Sequence, residues 1–87
     1  MKFKSIIFVR IRENVSDSAG NAVKSNVNNV SGVNIQKVNK LRIGKLIDID
    51  FEAPSKEYAQ EQLKILTSRL LSNSVIEDWE FHIWEDV

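Results

Sequence analysis

The stretch Val38-Asn39-Lys40-Leu41-Arg42-Ile43-Gly44-Lys45-Leu46-Ile47-Asp48-Ile49-Asp50-Phe51 decides how the chain is read. Leu41 and Ile43 alternate with Lys40 and Arg42. Ile47, Ile49 and Phe51 alternate with Asp48 and Asp50. Alternation of period two marks a strand with one buried and one wet face. The stretch therefore predicts two strands joined by a tight turn at Gly44-Lys45, with Gly44 supplying the positive φ of a short hairpin. The same point divides the charge. Residues 1–45 hold nine Lys/Arg against Glu13 and Asp17, and residues 46–87 hold ten Asp/Glu against Lys56, Lys64 and Arg69.

On the N-terminal side, residues 3–12 read as a first strand. Phe3, Ser5, Ile7, Val9 and Ile11 share one face; Lys4, Ile6, Phe8, Arg10 and Arg12 share the other. Asp17 suits a helix N-cap. Gly20 falls in the first turn, where it costs the helix little. Ala19, Ala22, Val23, Val27 and Val30 follow at helical spacing among Asn, Ser and Lys. Propensity is poor, so tertiary packing is required to hold this helix. Gly32 is placed as its left-handed cap, and a second strand begins near Ile35.

On the C-terminal side, the third strand ends at Glu52-Ala53, before Pro54. Ser55 caps a second helix, with Ala59, Leu63, Leu66 and Leu70 as its apolar stripe. Asn73 stands where a left-handed C′ residue belongs. A fourth strand runs from about Val75 to Glu85, with Trp79, Phe81 and Ile83 toward the core and Ile76, His82 and Trp84 away from it. The order β-α-β-β-α-β with short connections favours an α+β, ferredoxin-like plan: an antiparallel sheet in order 4-1-3-2 with both helices packed on one face. Lys4 and Arg10 would then meet Asp48, Asp50 and Glu80 on the open face.

Eighty-seven residues make one domain, 1–87. There is no cysteine, and no apolar run long enough for a signal segment or a membrane span, so the expected compartment is the cytoplasm. Zero net charge argues against nucleic-acid affinity. His82 is the sole histidine and has no companion ligands or nucleophile at motif spacing. Asp48 and Asp50 read as solvated carboxylates rather than an acid–base pair. Metal and catalytic residues are accordingly none. Arg42 and Lys45 beside Gly44 are candidate contacts to a partner or an anion; a solvated turn is the alternative. Ile6, Phe8, His82 and Trp84 form a candidate oligomer interface on the outer face; a frayed terminus with Trp84 packed locally is the alternative.

Three segments carry a resemblance: Asp17-Ser18-Ala19-Gly20-Asn21-Ala22, Leu41-Arg42-Ile43-Gly44-Lys45, and Leu70-Leu71-Ser72-Asn73-Ser74-Val75-Ile76-Glu77-Asp78. In order and spacing they resemble the PurS family, the small subunit of phosphoribosylformylglycinamidine synthase. Ser74 departs from the proline usual in that family. The resemblance implies a non-catalytic subunit of an ATP-dependent, glutamine-hydrolysing ligase of purine biosynthesis, itself a homo-oligomer. It would bridge a glutaminase subunit and a synthetase subunit so that ammonia passes between them. ATP, Mg and glutamine would serve the complex, with no cofactor held by this chain. Gly44 and Glu77 are expected to join Arg42 and Lys45 in the partner contacts, and Asp17, Gly20 and Asn73 are expected to be structural. The other reading is a small-molecule-binding regulatory domain of the same fold.

Overall fold

Alternating burial along Phe3, Ser5, Ile7 and Val9 identifies the strand around which the sheet and its core are built. In the computed structural model, which describes residues 1–87, this is β1 (Lys2–Ile11), the central strand of a three-stranded antiparallel sheet. β2 (Gly44–Glu52) and β3 (Glu77–Glu85) flank it in the order β2-β1-β3. Lys4 stands opposite Asp50 and Trp84, and Ile6 opposite Asp48 and His82. The α+β class, the three strands and their mutual order match the sequence reading.

Helix α2 (Lys56–Leu66) covers the inner face. Ser55 caps it by accepting from the Tyr58 N–H. Leu63 packs with Ile7 and Val9, and Ala59 with Phe3 and Ala53. Fully burying Phe3, Ile7, Val9 and Leu63 contributes about 1.5–3 kcal/mol each. The Ser5 hydroxyl, buried among them, donates to the His82 carbonyl at 2.8 Å, so no polar group is stranded there.

The expected stripe of α2 breaks in its last turn. Leu70 is 74% exposed, while Thr67 is buried and Leu71 joins the core. The cause is a π turn at Thr67–Leu71, closed by the Ser72 N–H donating to the Thr67 carbonyl at 3.0 Å. One extra residue rotates the following side chains around the helix, so Leu71 takes the place Leu70 would hold. Thr67 Oγ1 is left buried without a hydrogen-bond partner.

Two further expectations are overturned. The strand expected from Ile35 does not form, and there is no hairpin at Gly44-Lys45: residues 30–43 run as an irregular strap into β2. Gly32, at φ +87°, is the one residue with positive φ. Gly44 is instead the first residue of β2, opposite Arg10, where a Cβ would collide with the Val9 carbonyl oxygen. Its lack of a side chain permits close backbone approach, not a turn. Asn73 is likewise not left-handed. Its carbonyl accepts from the Ile76 and Glu77 N–H groups, its Oδ1 accepts from the Val75 N–H, and its own N–H donates to Glu77 Oε1.

Helix α1 (Ser18–Asn26), extended by one 3₁₀ turn at Val27–Asn29, contributes no side chain to the core; Gly20 is its only buried residue. The strap runs back along it. Asn28 exchanges hydrogen bonds with both the N–H and the carbonyl of Ile35, Lys24 Nζ reaches the Asn39 carbonyl, and Asp17 Oδ2 accepts from the Ile43 N–H. Helix and strap thus form an arm that projects from the sheet. The molecule measures 50 × 30 × 15 Å, whereas a ten-residue strand spans about 33 Å. Its radius of gyration is 17.0 Å, against about 12 Å for a compact chain of this length. The requirement for tertiary packing of α1 is therefore not met within one chain; caps and staples hold it.

Candidate interaction surfaces

The first surface is the outer sheet face. Phe8 stands between Leu46 and Glu80, Ile6 between Asp48 and His82, and Lys4 between Asp50 and Trp84. The rings of Phe8 and His82 meet edge to face with centroids 6.1 Å apart. Leu46 is 54% and Trp84 43% exposed. Ile6, Phe8, His82 and Trp84 thus lie together as their parity required. Ile76 precedes β3, its carbonyl accepting from the Arg12 N–H. Leu46 was missed, although it shares the parity of Asp48 and could have been read from it.

The charge pairing on this face differs from expectation. Lys4 faces Asp50, but Arg10 faces Gly44 and Asp78. The ion pairs formed lie beyond the strand ends: Arg12 to Asp78 at 3.4 Å and Arg42 to Glu13 at 3.7 Å. Both acids are more than half exposed, so each pair adds little.

The second surface lies where the arm leaves the sheet. Arg42, Gly44, Lys45 and Glu77 are all brought to this end: Gly44 and Lys45 face Arg10 and Val9, and Glu77 faces Ile11. They are not equally available. Arg42 Nη1 donates to the Ile11 carbonyl at 3.1 Å while Nη2 meets Glu13, and its side chain is only 19% exposed. Glu77 holds the Asn73 N–H at 2.6 Å. Gly44 and Lys45 are the exposed members, and of the two only Lys45 has a side chain to offer.

Asp17 is the clasp of the arm. Oδ1 accepts from the Gly20 N–H at 2.9 Å and Oδ2 from the Ile43 N–H at 3.0 Å. The Ile43 and then the Gly20 hydrogen bond, with help from Arg42, hold its carboxyl below the usual carboxylate range. Gly20 is required here: a Cβ would lie 2.5 Å from both Asp17 Oδ2 and the Leu41 carbonyl oxygen. Lys24, Lys40 and Arg42 all donate to backbone carbonyls, of Asn39, Glu13 and Ile11 respectively. No three His, Cys, Asp or Glu side chains converge as a metal site would need. No helix is long and apolar enough to cross a membrane.

This arrangement of sheet and arm has counterparts. The family described as PurS, phosphoribosylformylglycinamidine (FGAM) synthase, matches residues 4–85. The chain belongs to the PurS family. A PurS subunit of Synechocystis is 39% identical over 77 residues, covering 88% of this chain and 74% of the relative. The crystal structure of the PurS subunit from Thermotoga maritima superposes with a TM-score of 0.81 at 34% identity, over 97% of this chain and 93% of that one. A chain in the structure of PurLQS from the same organism gives 0.82 at 34% identity, over 97% and 99%. The PurS likeness thus spans arm and sheet together.

Proposed function

We propose that this chain is the non-catalytic small subunit of a phosphoribosylformylglycinamidine synthase complex in purine biosynthesis. The observation that carries the reading is the likeness, along nearly its whole length, to a chain of the Thermotoga maritima PurLQS structure. In this role the chain binds a glutaminase subunit and a synthetase subunit and holds them so that ammonia passes from one to the other. Ammonia that escapes is protonated at neutral pH and ceases to be a nucleophile, so holding two sites together raises the rate without any chemistry on this chain. ATP, Mg²⁺ and glutamine serve the partner subunits, and this chain binds none of them. The complex works in the cytoplasm. The patch of Ile6, Phe8, Leu46, His82 and Trp84 serves self-association, because apolar surface left in water costs about 25 cal/mol per Å².

The test is reconstitution. Purified glutaminase, synthetase and this chain, with ATP, Mg²⁺ and glutamine, should form the amidine. Omitting this chain should abolish the glutamine-dependent rate and spare the rate with ammonium salts. An unchanged glutamine-dependent rate would reject the proposal. For the patch, sedimentation equilibrium at micromolar concentration should show more than a 10.0 kDa species, and Trp84→Ala should weaken association by about 1 kcal/mol or more.

A further inference from the structure

β3 is an edge strand with one open side. The Arg12 N–H donates to the Ile76 carbonyl and the Asp86 N–H to the Lys2 carbonyl, both at 2.8 Å. These two bonds fix the parity of the ladder between them: Asp78, Glu80, His82 and Trp84 direct their backbone groups at β1. Trp79, Phe81 and Ile83 therefore direct their N–H and carbonyl groups away from the sheet, where no strand lies. An exposed edge is ordinarily guarded by shortness, by a bulge, by proline or by lysine. β3 has nine residues, pairs with β1 without a bulge, and contains no proline or lysine. It is acidic instead. Glu77, Asp78, Glu80 and Glu85 stand on it with no Lys or Arg among them. Glu77 holds the Asn73 N–H and Arg12 reaches Asp78, but Glu80 and Glu85 meet no cation.

We propose that the free edge of β3 is a docking site for an extended, basic segment of a partner subunit, added to the sheet as one more strand. The two faces of β3 specify that segment. Residues beside Trp79, Phe81 and Ile83 continue the inner, apolar face on which α2 lies. Residues beside Asp78 and Glu80 fall on the outer face and are Lys or Arg, since opposite charges on neighbouring strands attract and like charges repel. A second copy of this chain does not meet the specification. Its own β3 brings the same acids and no Lys or Arg, and its β2 presents Asp48, Asp50 and Glu52 on the outer face. Its basic strap is already tied to α1 and Asp17 through Asn28 and the Ile43 N–H. The site is a backbone edge, distinct from the outer-face patch. It rests on the synthase reading only for the identity of the subunit that supplies the strand.

Hydrogen exchange reads the edge directly. The chain is mixed in turn with purified glutaminase and purified synthetase subunits, and its amides are compared with those of the chain alone. Trp79, Phe81 and Ile83 should exchange freely in the chain alone and about ten-fold more slowly or better in one of the two complexes. Asp78→Lys with Glu80→Lys should raise the Kd for that subunit about ten-fold or more with an unchanged far-UV circular dichroism spectrum, while Asp78→Glu with Glu80→Asp should bind as the parent does. Complexes in which these three amides still exchange freely overturn the proposal and leave the synthase reading standing. Protection already present in the chain alone would give the edge to a second copy and also overturns it. Failure to bind either subunit rejects both.

Discussion

The sheet body and the arm are held by different physics. In the body, side chains of β1 meet α2, and Phe3, Ile7, Val9 and Leu63 are essentially sealed from water. In the arm, the apolar residues face outward and the fold rests on polar ties: one carboxylate holding two N–H groups and three cations donating to carbonyls. Hydrophobic burial is non-directional and adds up with area. Hydrogen bonds near water each contribute only about 0.5–1.5 kcal/mol net. The body is therefore the stable unit and the arm the pliable one, opening locally at lower cost.

The hardest way to break this comparison is in the body. Ile7→Ala removes a fully buried side chain and should cost about 2–5 kcal/mol in urea unfolding, with arm and sheet lost together. A loss under about 1 kcal/mol would mean the core packs more loosely than its burial indicates. Gly44→Val strikes the junction. The new side chain meets the Val9 carbonyl, so β2 must shift, at about 1–3 kcal/mol. Hydrogen exchange should speed up at the arm end of β2 and spare the end paired with Lys2.

Asp17→Asn sharpens the contrast. The amide can still cap Gly20 but turns an NH₂ group toward the Ile43 N–H. Exchange should accelerate in residues 30–43 while amides of β1 and β3 keep their protection; uniform acceleration would show that arm and body are one cooperative unit. Acid should mimic the substitution. The folded carboxyl titrates below its unfolded value, so its stabilisation is complete above about pH 4 and is lost as pH falls through the lowered value. The smallest effect is expected at Thr67→Val. It replaces a buried hydroxyl that has no partner, so stability should hold or rise by about 1 kcal/mol. A clear loss would reveal a hydrogen bond to Thr67 Oγ1.

The body was legible in the sequence because its signals are local and repeated. Phe3 to Val9, Ile47 to Phe51 and Trp79 to Ile83 each alternate over enough residues to fix parity, and Ala59 and Leu63 phase α2 against them. The arm was not. Leu41 and Ile43 alternate over only four residues, and the Ile43 N–H that a ladder would use is taken by Asp17. Gly44 has the composition of a turn and the function of a close approach. Of the candidate surfaces, the outer patch followed from parity alone. That Arg42 and Glu77 are occupied within the chain depends on the path of the strap and on the turn at Asn73, neither of which leaves a period to read.

The π turn at Thr67–Leu71 has a consequence for how chains of this kind change length. A helix that carries one residue more than its ladder needs has already absorbed an insertion without displacing the strand that follows. Removing a single residue there would restore ordinary helical winding, return position 70 to the inward face and leave the start of β3 in register. Gains and losses of one residue should therefore gather at this turn in related chains. An alignment that forbids gaps inside helices would pair Leu70 with the wrong neighbour at this point.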